Sequence, residues 1–403
     1  MPVYLWEGTT KRGDTKKGEI EVPNEGAVRA QLRRQGIKNI VIKKKPKDLF
    51  ENIAFLQPKV KEKDVVVFAR QFATMINAGL PLVHSLDLLA QEEKNITFKK
   101  TIASIKDRVE GGATLTDSLK EYPKIFDELF VNLVAAGEAG GILDIILDRL
   151  SGYMEKAIKL KSKVKGAMTY PAATLVVALG VVILLLWKVV PVFQDMFEGV
   201  GSALPAPTQF LVDASTFVQN NIWYLFGAIV ILFWGYKRYY RTERGRLQID
   251  RLALKAPIFG ILLRKVAVAK FSRTLSTMMS SGVPILDGLE IVSKTAGNKV
   301  IENVLMDTRK SISEGKTIAE PLRQSDVFPS MVVSMISVGE NTGALDAMLA
   351  KIADFYDDEV DAAVEAMTSL LEPVMMVFLG GVIGGMVIAL YLPIFTMAGA
   401  MGG

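Results

Sequence analysis

Three stretches of the chain consist almost entirely of apolar residues and predict transmembrane helices at 171–191, 222–236 and 373–394. At about 1.5 Å of rise per residue, the first and third can cross a hydrocarbon layer of roughly 30 Å, and Lys188 can extend its ammonium group to the interface. The second stretch is short, but it has aromatic residues near both ends, as interfacial segments do. Local thinning of the bilayer can accommodate it.

Outside these stretches, apolar positions recur at helical spacing. After residue 60 the pattern predicts helices at about 63–78, 82–92, 96–110, 115–120 and 125–136. Gly79 and Pro81 separate the first two, and a long sixth helix from Ile142 leads into the first apolar stretch. Thr114 and Thr317, each followed three residues later by an acid, predict a capping box in two places.

The whole helical pattern occurs twice. Phe68-x-Arg…Gly79-x-Pro81 returns as Phe271-x-Arg…Gly282-x-Pro284, and 271 − 68, 282 − 79 and 284 − 81 are all 203. Further along, Gly-Glu-x-x-Gly at 137–141 matches the same pattern at 339–343, an offset of 202 (339 − 137), and the prolines bracketing the first and third spans keep it. A repeat this long indicates a duplicated domain rather than a solenoid.

The first fifty residues follow a different pattern. Short runs predict strands at about 3–6, 18–22 and 37–42, and Asn24 predicts the start of a helix that ends by Gly36. Eight Lys and four Arg against six acids give this segment a net charge of +6. Because aromatic and basic residues do not interleave on one face, we expect a solvated surface and no nucleic-acid partner.

Together these patterns predict a mainly α, polytopic membrane protein with two duplicated cytoplasmic six-helix bundles, three transmembrane helices and a small N-terminal α+β unit. Lys and Arg flank the first and second spans, whereas 192–221 contains neither, which places the bundles in the cytoplasm and that loop outside. We expect no cleavable signal peptide and an external carboxyl terminus. The predicted segments are 1–50 (cytoplasmic α+β domain), 60–170 (first helical module), 171–191 (first span), 192–221 (periplasmic loop), 222–236 (second span), 245–372 (second helical module), 373–394 (third span) and 395–403 (periplasmic tail).

The composition restricts the chemistry available to the chain. With no cysteine and one histidine in 403 residues, neither a thiolate or two-histidine metal site nor a Ser-His relay can be assembled. Gly315-Lys316-Thr317 resembles the end of a phosphate-binding loop, but that motif needs a glycine where this chain has Lys310. We therefore expect no catalytic residue, no cofactor, no metal and no enzymatic activity, and a structural role for His84.

The two Gly-Glu-x-x-Gly turns are candidate structural or interface motifs. Their residues are Gly137, Glu138 and Gly141 in the first copy and Gly339, Glu340 and Gly343 in the second. The glycines can supply positive φ, and the acid can accept N–H bonds at the start of the next helix. The alternatives are a weak metal site that Glu138 or Glu340 shares with Asp144 or with a neighbouring subunit, and catalysis by one of these carboxylates.

The third span carries four glycines that allow another helix to approach closely: Gly380, Gly381, Gly384 and Gly385. Their partner is either another helix of the same subunit or, alternatively, a transmembrane helix of a partner protein or of a second copy.

The sixth helix of each copy carries three charges at spacings of three and four residues, which places each trio on one helix face. The trio is basic in the first copy and acidic at the equivalent positions of the second: Lys156, Lys159 and Lys163 against Asp358, Asp361 and Glu365. Opposite charges at equivalent positions suggest that the two copies, within one chain or between subunits, pack these helices together. Two independently solvated faces are the alternative.

The duplicated Phe-x-Arg…Gly-x-Pro blocks, the paired Gly-Glu-x-x-Gly-x-Leu turns, the three spans and the N-terminal segment Tyr4-Leu-Trp-Glu-Gly8 resemble the PilC/GspF family over essentially the whole chain. These are inner-membrane platform proteins of type IV pilus and type II secretion machines, and the N-terminal segment favours the pilus branch. The resemblance implies a multi-pass bacterial inner-membrane protein with a cytoplasmic N-terminus and a periplasmic C-terminus. It implies a platform that couples a hexameric assembly or retraction ATPase to pilin insertion or removal, contacts inner-membrane alignment proteins and self-associates.

Two other functions remain open from the sequence. A type II secretion pseudopilus platform is the alternative within the family. A membrane transporter is the alternative of another class, although ionisable residues within the spans, which would mark a transport pathway, are nearly absent.

Overall fold

The structure is a computed structural model that describes residues 3–9, 15–21, 26, 29, 38–44, 58–198, 204–257 and 259–401. The chain forms two compact units. One draws its described residues from Met1–Val60 and Ala90–Ile102, and the other from Lys61–Leu89 and Ala103–Gly403.

The first unit contains a three-stranded antiparallel sheet. Its strands are β1 (Val3–Thr9), β2 (Thr15–Glu21) and β3 (Lys38–Lys44), in the order β2-β1-β3. All three overlap the predicted strands. Most of the helix predicted between them lies outside the described residues.

The described residues from 61 onward are mainly helical. The helices are α1 (Glu62–Asn77), α2 (Leu82–Glu92), α3 (Ile96–Glu110), α4 (Leu115–Lys120), α5 (Glu128–Gly140), α6 (Leu143–Leu184), α7 (Val190–Glu198), α8 (Ala206–Tyr240), α9 (Glu243–Lys255), α10 (Phe259–Ser280), α11 (Ile285–Thr295), α12 (Lys299–Ser313), α13 (Ala319–Gln324), α14 (Ser330–Thr342) and α15 (Leu345–Met401). The predicted helices between 82 and 120 have the bounds that the structure gives. Equivalent helices of the two copies have equal lengths. α2 and α11 have 11 residues each, α3 and α12 have 15, α4 and α13 have 6, and α5 and α14 have 13.

Equivalent aromatic residues lie at the centre of the two helical modules. Phe68 of α1 and Phe126, between α4 and α5, are buried with their ring centroids 5.9 Å apart. The equivalent rings of Phe271 and Phe328 are 5.1 Å apart, edge to face. Each pair joins the first helix of its module to the segment before the fifth, so the first position of the Phe-x-Arg motif contributes to the core of both modules.

The long helices α6 and α15 connect the modules to the apolar stretches without a break. α6 passes through Pro171, and α15 passes through Pro373 and Pro393. Three helical segments are long and apolar enough to cross a membrane, namely Leu143–Met196, Ala206–Tyr240 and Leu345–Phe395. Each includes one predicted span, and the predicted boundaries at Pro171 and Pro373 fall inside continuous helices.

A π-helical turn, Leu185–Val189, separates α6 from α7. It precedes Pro191, which has no N–H and whose ring would clash with the carbonyl group four residues earlier in a regular α-helix. The Lys188 ammonium lies 4.9 Å from the centroid of the Trp187 ring, which gives the charge a partner at the end of this apolar stretch.

The segment predicted as a loop, 192–221, is largely helical. α7 covers its beginning, and α8 extends from Ala206 through a non-helical residue, Asn221, into the second span. The first part of α8 packs against the other two spans: Thr208 Oγ1 donates to the Ala389 carbonyl oxygen at 2.5 Å, and Ser215 Oγ donates to that of Leu186 at 2.5 Å. Apolar residues such as Leu211 supply that packing. The predicted tail at 395–403 also differs, since α15 extends to Met401.

Candidate functional site

The arginine of the Phe-x-Arg motif connects the first helix of each module to the long helix. Arg70 Nε donates to a Glu155 carboxylate oxygen on α6 at 2.6 Å, and Arg70 Nη1 donates to Asp148 at 3.1 Å. The equivalent Arg273 donates to Asp357 on α15 at 2.5 Å. The hydrogen bond with Glu155 raises the pKa of the Arg70 guanidinium.

Neither of these acidic partners was among the residues predicted from the sequence. Glu155 and Asp357 were detectable in principle, because both are acids at equivalent positions, whereas the neighbouring charges change sign between the copies. When the arginine and the acid are both repeated with unchanged charge, they are expected to form an ion pair inside each module.

The glycines of the Gly-Glu-x-x-Gly motif have two different functions. Gly141 and Gly343 end α5 and α14 with φ of 66° and 70°, a left-handed conformation that favours glycine. Gly137 lies where a Cβ would be 2.9 Å from Ile146 Cγ1, and a Cβ on Gly339 would be 2.9 Å from Leu345 Cα. The first glycine of each motif therefore lets the fifth helix cross the sixth at close range, and the last supplies the positive φ.

The glutamates of the motif cap a preceding helix, not the next one as predicted. Glu138, in the last turn of α5, accepts the N–H groups of Leu115 and Thr116 at 2.8 and 3.1 Å and the Thr116 hydroxyl at 2.7 Å. These donors lie at the start of α4, where a carboxylate also interacts favourably with the helix dipole. In the second copy Glu340 accepts the Ile318 N–H at 2.9 Å, beside the start of α13.

Only the first of the two predicted helix starts has its side-chain cap. Thr114 Oγ1 accepts the Asp117 N–H at 3.0 Å. α13 begins one residue later than predicted, after Ile318, and no side chain caps it. The residue that flanks the start of α13 is Ile318, so Thr317 does not act as the cap.

The metal site considered for Glu138 has no supporting geometry. Among the described residues, no group of three His, Cys, Asp or Glu side chains could hold a metal ion. Glu138 is instead occupied by N–H and hydroxyl donors. His84 is exposed on α2, outside the core of the first module, and its structural role stays a prediction.

One face of α6 docks into a groove of the second module between α10 and α15. The Tyr153 hydroxyl lies 3.1 Å from Thr274 Oγ1 on α10, and Leu160 packs against the apolar residues of both helices. Val360 and Val364 of α15 are almost fully buried beneath this contact. We call this groove of α10 and α15 the second groove.

Charged pairs flank the docked helix. Lys163 Nζ lies 2.5 Å from Asp361, and Lys156 Nζ lies 3.2 Å from Asp354. The structure thus brings together one lysine and one acid of the predicted trios and gives Lys156 a partner outside them, Asp354. Lys159 and Glu365 have no ion pair among the described residues. Burial lowers the pKa of Lys270 in α10, on the same side of the second module.

The four glycines of the third span do not pack against another helix. A Cβ added at Gly380, Gly381, Gly384 or Gly385 would meet nothing within 4 Å. Among the described residues, no helix therefore approaches these glycines closely, and both predicted partners, a helix of the same subunit and a helix of another molecule, stay predictions.

Models of two protein families match the sequence. A family described as type II secretion system (T2SS), protein F, matches twice, at residues 68–191 and 271–393. A family described as type II secretion system protein F, N-terminal domain, matches residues 1–43.

The chain is similar to characterised proteins over its full length. It is 54% identical over 400 residues to the type IV pilus assembly protein PilC of Myxococcus xanthus, covering 99% of this chain and 95% of that protein. It is 41% identical over 404 residues to PilC of Thermus thermophilus (100% and 99%) and 33% identical over 407 residues to the type II secretion system protein F of Vibrio cholerae (100% of each).

Proposed function

The chain belongs to the PilC/GspF family, the family of type II secretion system protein F, and from this premise we propose that it is the inner-membrane platform of a type IV pilus machine. The observation that carries the proposal is identity over the whole chain: 54% and 41% to the two pilus assembly proteins against 33% to the secretion protein. The platform of a type II secretion pseudopilus is the second candidate, supported by that 33% identity.

The way the modules join the membrane helices suits the transmission of movement. In each half of the chain, one uninterrupted helix extends from the module into an apolar stretch, Leu143–Leu184 and Leu345–Met401. The Phe-x-Arg and Gly-Glu-x-x-Gly contacts fix each of these helices to its module. Displacement of a module is then expected to move the membrane helix with it.

On this proposal the partners divide between the two ends of these helices. A hexameric assembly ATPase, and in a retracting system a second ATPase, contacts the two modules at 60–170 and 245–372. Pilin and the inner-membrane alignment proteins contact the spans. The free glycine face of α15 suits the close approach of a partner's transmembrane helix, because nothing described in the chain covers it. We assign no catalytic residue, cofactor or metal, and the Gly-Glu-x-x-Gly residues are given a structural role.

The proposed orientation places both modules and the N-terminus in the cytoplasm and the C-terminus in the periplasm. It rests on the Lys and Arg residues on one side of the first two spans. Side chains of the second span such as Trp223 and Leu232 are 83% and 72% exposed, which suits contact with lipid.

Cysteine crosslinking in cells tests the proposal directly, because the chain has no cysteine of its own. Single cysteines at His84 and Glu314, exposed in the two modules, should crosslink to a co-expressed assembly ATPase. A cysteine at Val377, which is 77% exposed on α15, should crosslink to the major pilin.

A buried position on the same helix is the matched control. Met386 is 6% exposed and faces the other spans, so Met386→Cys should give no pilin product. If neither partner is captured from any exposed position while the protein is present in the membrane, the platform function is wrong. Capture of a pseudopilin and a secretion ATPase in their place would favour the second candidate.

A further inference from the structure

The first module has a groove equivalent to the second groove, and none of the helices that the structure describes fills it. It lies between α1 and α6, encloses about 650 Å³ and has mainly apolar walls. We call it the first groove, and its lining includes Val66, Val67, Ile158, Lys159 and Ser162. Val67 is 47% exposed there.

The first groove and the second groove are built from equivalent positions. Ile158 and Ser162 of α6 correspond to Val360 and Val364 of α15, at the offset of 202. In the second module these positions are 0% and 5% exposed because α6 covers them. Lys159 of the first groove corresponds to Asp361, the acid that pairs with the docked helix.

The helix face that would fill such a groove is also uncovered. The docked residues Tyr153, Leu160 and Val164 of α6 correspond to Phe355, Ala362 and Ala366 of α15. All three of these α15 residues are exposed. We call the exposed residues on this side of α15 the free face, and they are Phe355, Asp358, Ala362, Glu365 and Ala366.

The charges on the two uncovered surfaces are opposite. Inside the chain, Lys163 of the docked helix pairs with Asp361 of the second groove at 2.5 Å. At the equivalent positions the free face has Glu365 and the first groove has Lys159. In the contact within the chain, the docked helix is basic and the groove acidic. On the two uncovered surfaces the helix face is acidic and the groove basic, so these surfaces are also complementary in charge.

We infer that the free face of α15 in one molecule docks into the first groove of a second copy, repeating between molecules the contact that joins the modules within one molecule. Glu365 of one copy then pairs with Lys159 of the next. Arg149 of α6, whose guanidinium donates to the Ser280 carbonyl oxygen inside the chain, corresponds to Lys351 of α15. The free helix therefore also has a basic residue at this position.

The association is head to tail. A two-fold relation between the modules would have filled both grooves within one chain, yet the first groove is open. A contact of this kind joins different surfaces of the two molecules and generates a ring or an open chain of subunits. Because both helices enter the same membrane, the subunits of a ring would surround an axis along the membrane normal.

The contact between molecules is weaker than the one inside the chain. Ala362 replaces Leu160 at its centre and buries less apolar surface. Confinement to a membrane favours it, because both partners are concentrated in the same plane. This inference rests on the self-association included in the proposed function, but it requires neither an ATPase nor pilin.

Crosslinking of two differently tagged full-length chains in membranes tests the contact. One chain carries Lys159→Cys, the other carries Glu365→Cys, and the reagent is a short bismaleimide. We expect a mixed dimer from the two together and no dimer from either alone, because a head-to-tail contact never places a residue opposite itself. A chain with both cysteines should give a ladder of dimers, trimers and larger products.

Two controls define the geometry. Lys163→Cys with Asp361→Cys in one chain should react internally and shows that the reagent spans such a pair. Asp358→Cys in place of Glu365→Cys lies two turns away, about 10 Å along the helix, and should give little mixed dimer.

Charge reversal supplies an independent measurement. Lys159→Glu or Glu365→Lys should weaken self-association in detergent on the order of threefold to tenfold, and the double variant should restore it. Both residues are exposed, so neither variant is expected to impair folding.

Each alternative outcome overturns the inference. Dimers from a single cysteine variant would mean a two-fold interface. Oligomers without the mixed crosslink would mean that the protein self-associates through a different surface. A monomer at membrane concentrations would reject both self-association and the proposed interface. The pilin and ATPase crosslinks test the platform function separately.

Discussion

The two helical modules are built alike but have different neighbours. Both have the Phe-x-Arg contact, the close crossing at the first motif glycine and a left-handed glycine at the last. Their outer surfaces differ, because α6 fills the second groove and leaves the first groove open. Residues that build each module have kept their character after duplication, and residues where the modules meet have exchanged charge.

The largest expected effect tests whether the two modules are equivalent. Gly137→Ala and Gly339→Ala would each place a Cβ about 2.9 Å from an atom of the following helix, so the helices must separate. We expect each variant to lose about 1–3 kcal/mol of stability, with similar shifts in melting temperature in detergent.

Gly140→Ala is the matched control, because its Cβ would meet the Ile142 side chain at 3.4 Å and the equivalent position already holds Thr342. Unequal losses for Gly137→Ala and Gly339→Ala would show that the helix crossing matters in one module more than the other.

A smaller effect should distinguish the modules. Glu138 accepts three hydrogen bonds, and Glu340 accepts one from Ile318. We expect Glu138→Ala to cost about 1.5–3 kcal/mol and Glu340→Ala about 1 kcal/mol, measured by thermal unfolding. Asp326→Ala, at an exposed position, serves as the control. A larger loss at Glu340 would contradict the geometry.

The smallest effect concerns the pair between the modules. Lys163 and Asp361 are 2.5 Å apart but each is 40% exposed, so solvent screens them. A double-mutant cycle with alanine should give a coupling of about 0.2–1 kcal/mol. The same cycle on Lys156 and Asp358, which occupy equivalent positions of the two copies and form no ion pair among the described residues, should give none within error.

The sequence placed each charge trio on one helix face, because residues three and four apart share a face whatever the tertiary structure. One member of each trio, Lys163 of α6 and Asp361 of α15, forms an ion pair in the structure. The trios could not give the pairing: Lys156 binds Asp354, and Lys159 and Glu365 have no partner among the described residues. The position of one helix along another depends on how their side chains pack, and helical periodicity gives no information about that packing.

The glutamates of the Gly-Glu-x-x-Gly motifs illustrate the same limit. Their role in accepting N–H bonds followed from the sequence, but the helix they cap did not. The next helix is close in sequence, whereas α4 is brought to Glu138 by the fold of the module.

The sequence by itself determined the duplication, the three apolar spans, the bounds of the three helices between residues 82 and 120 and the glycines that end α5 and α14. These features depend on local periodicity, on residue type and on the positive φ that glycine allows. Only the tertiary structure decided that α6 fills the second groove, that the first groove stays open and that 192–221 is largely helical. Equivalent residues have the same local pattern in both copies, so the contacts of helices far apart in the chain determine which surface is covered.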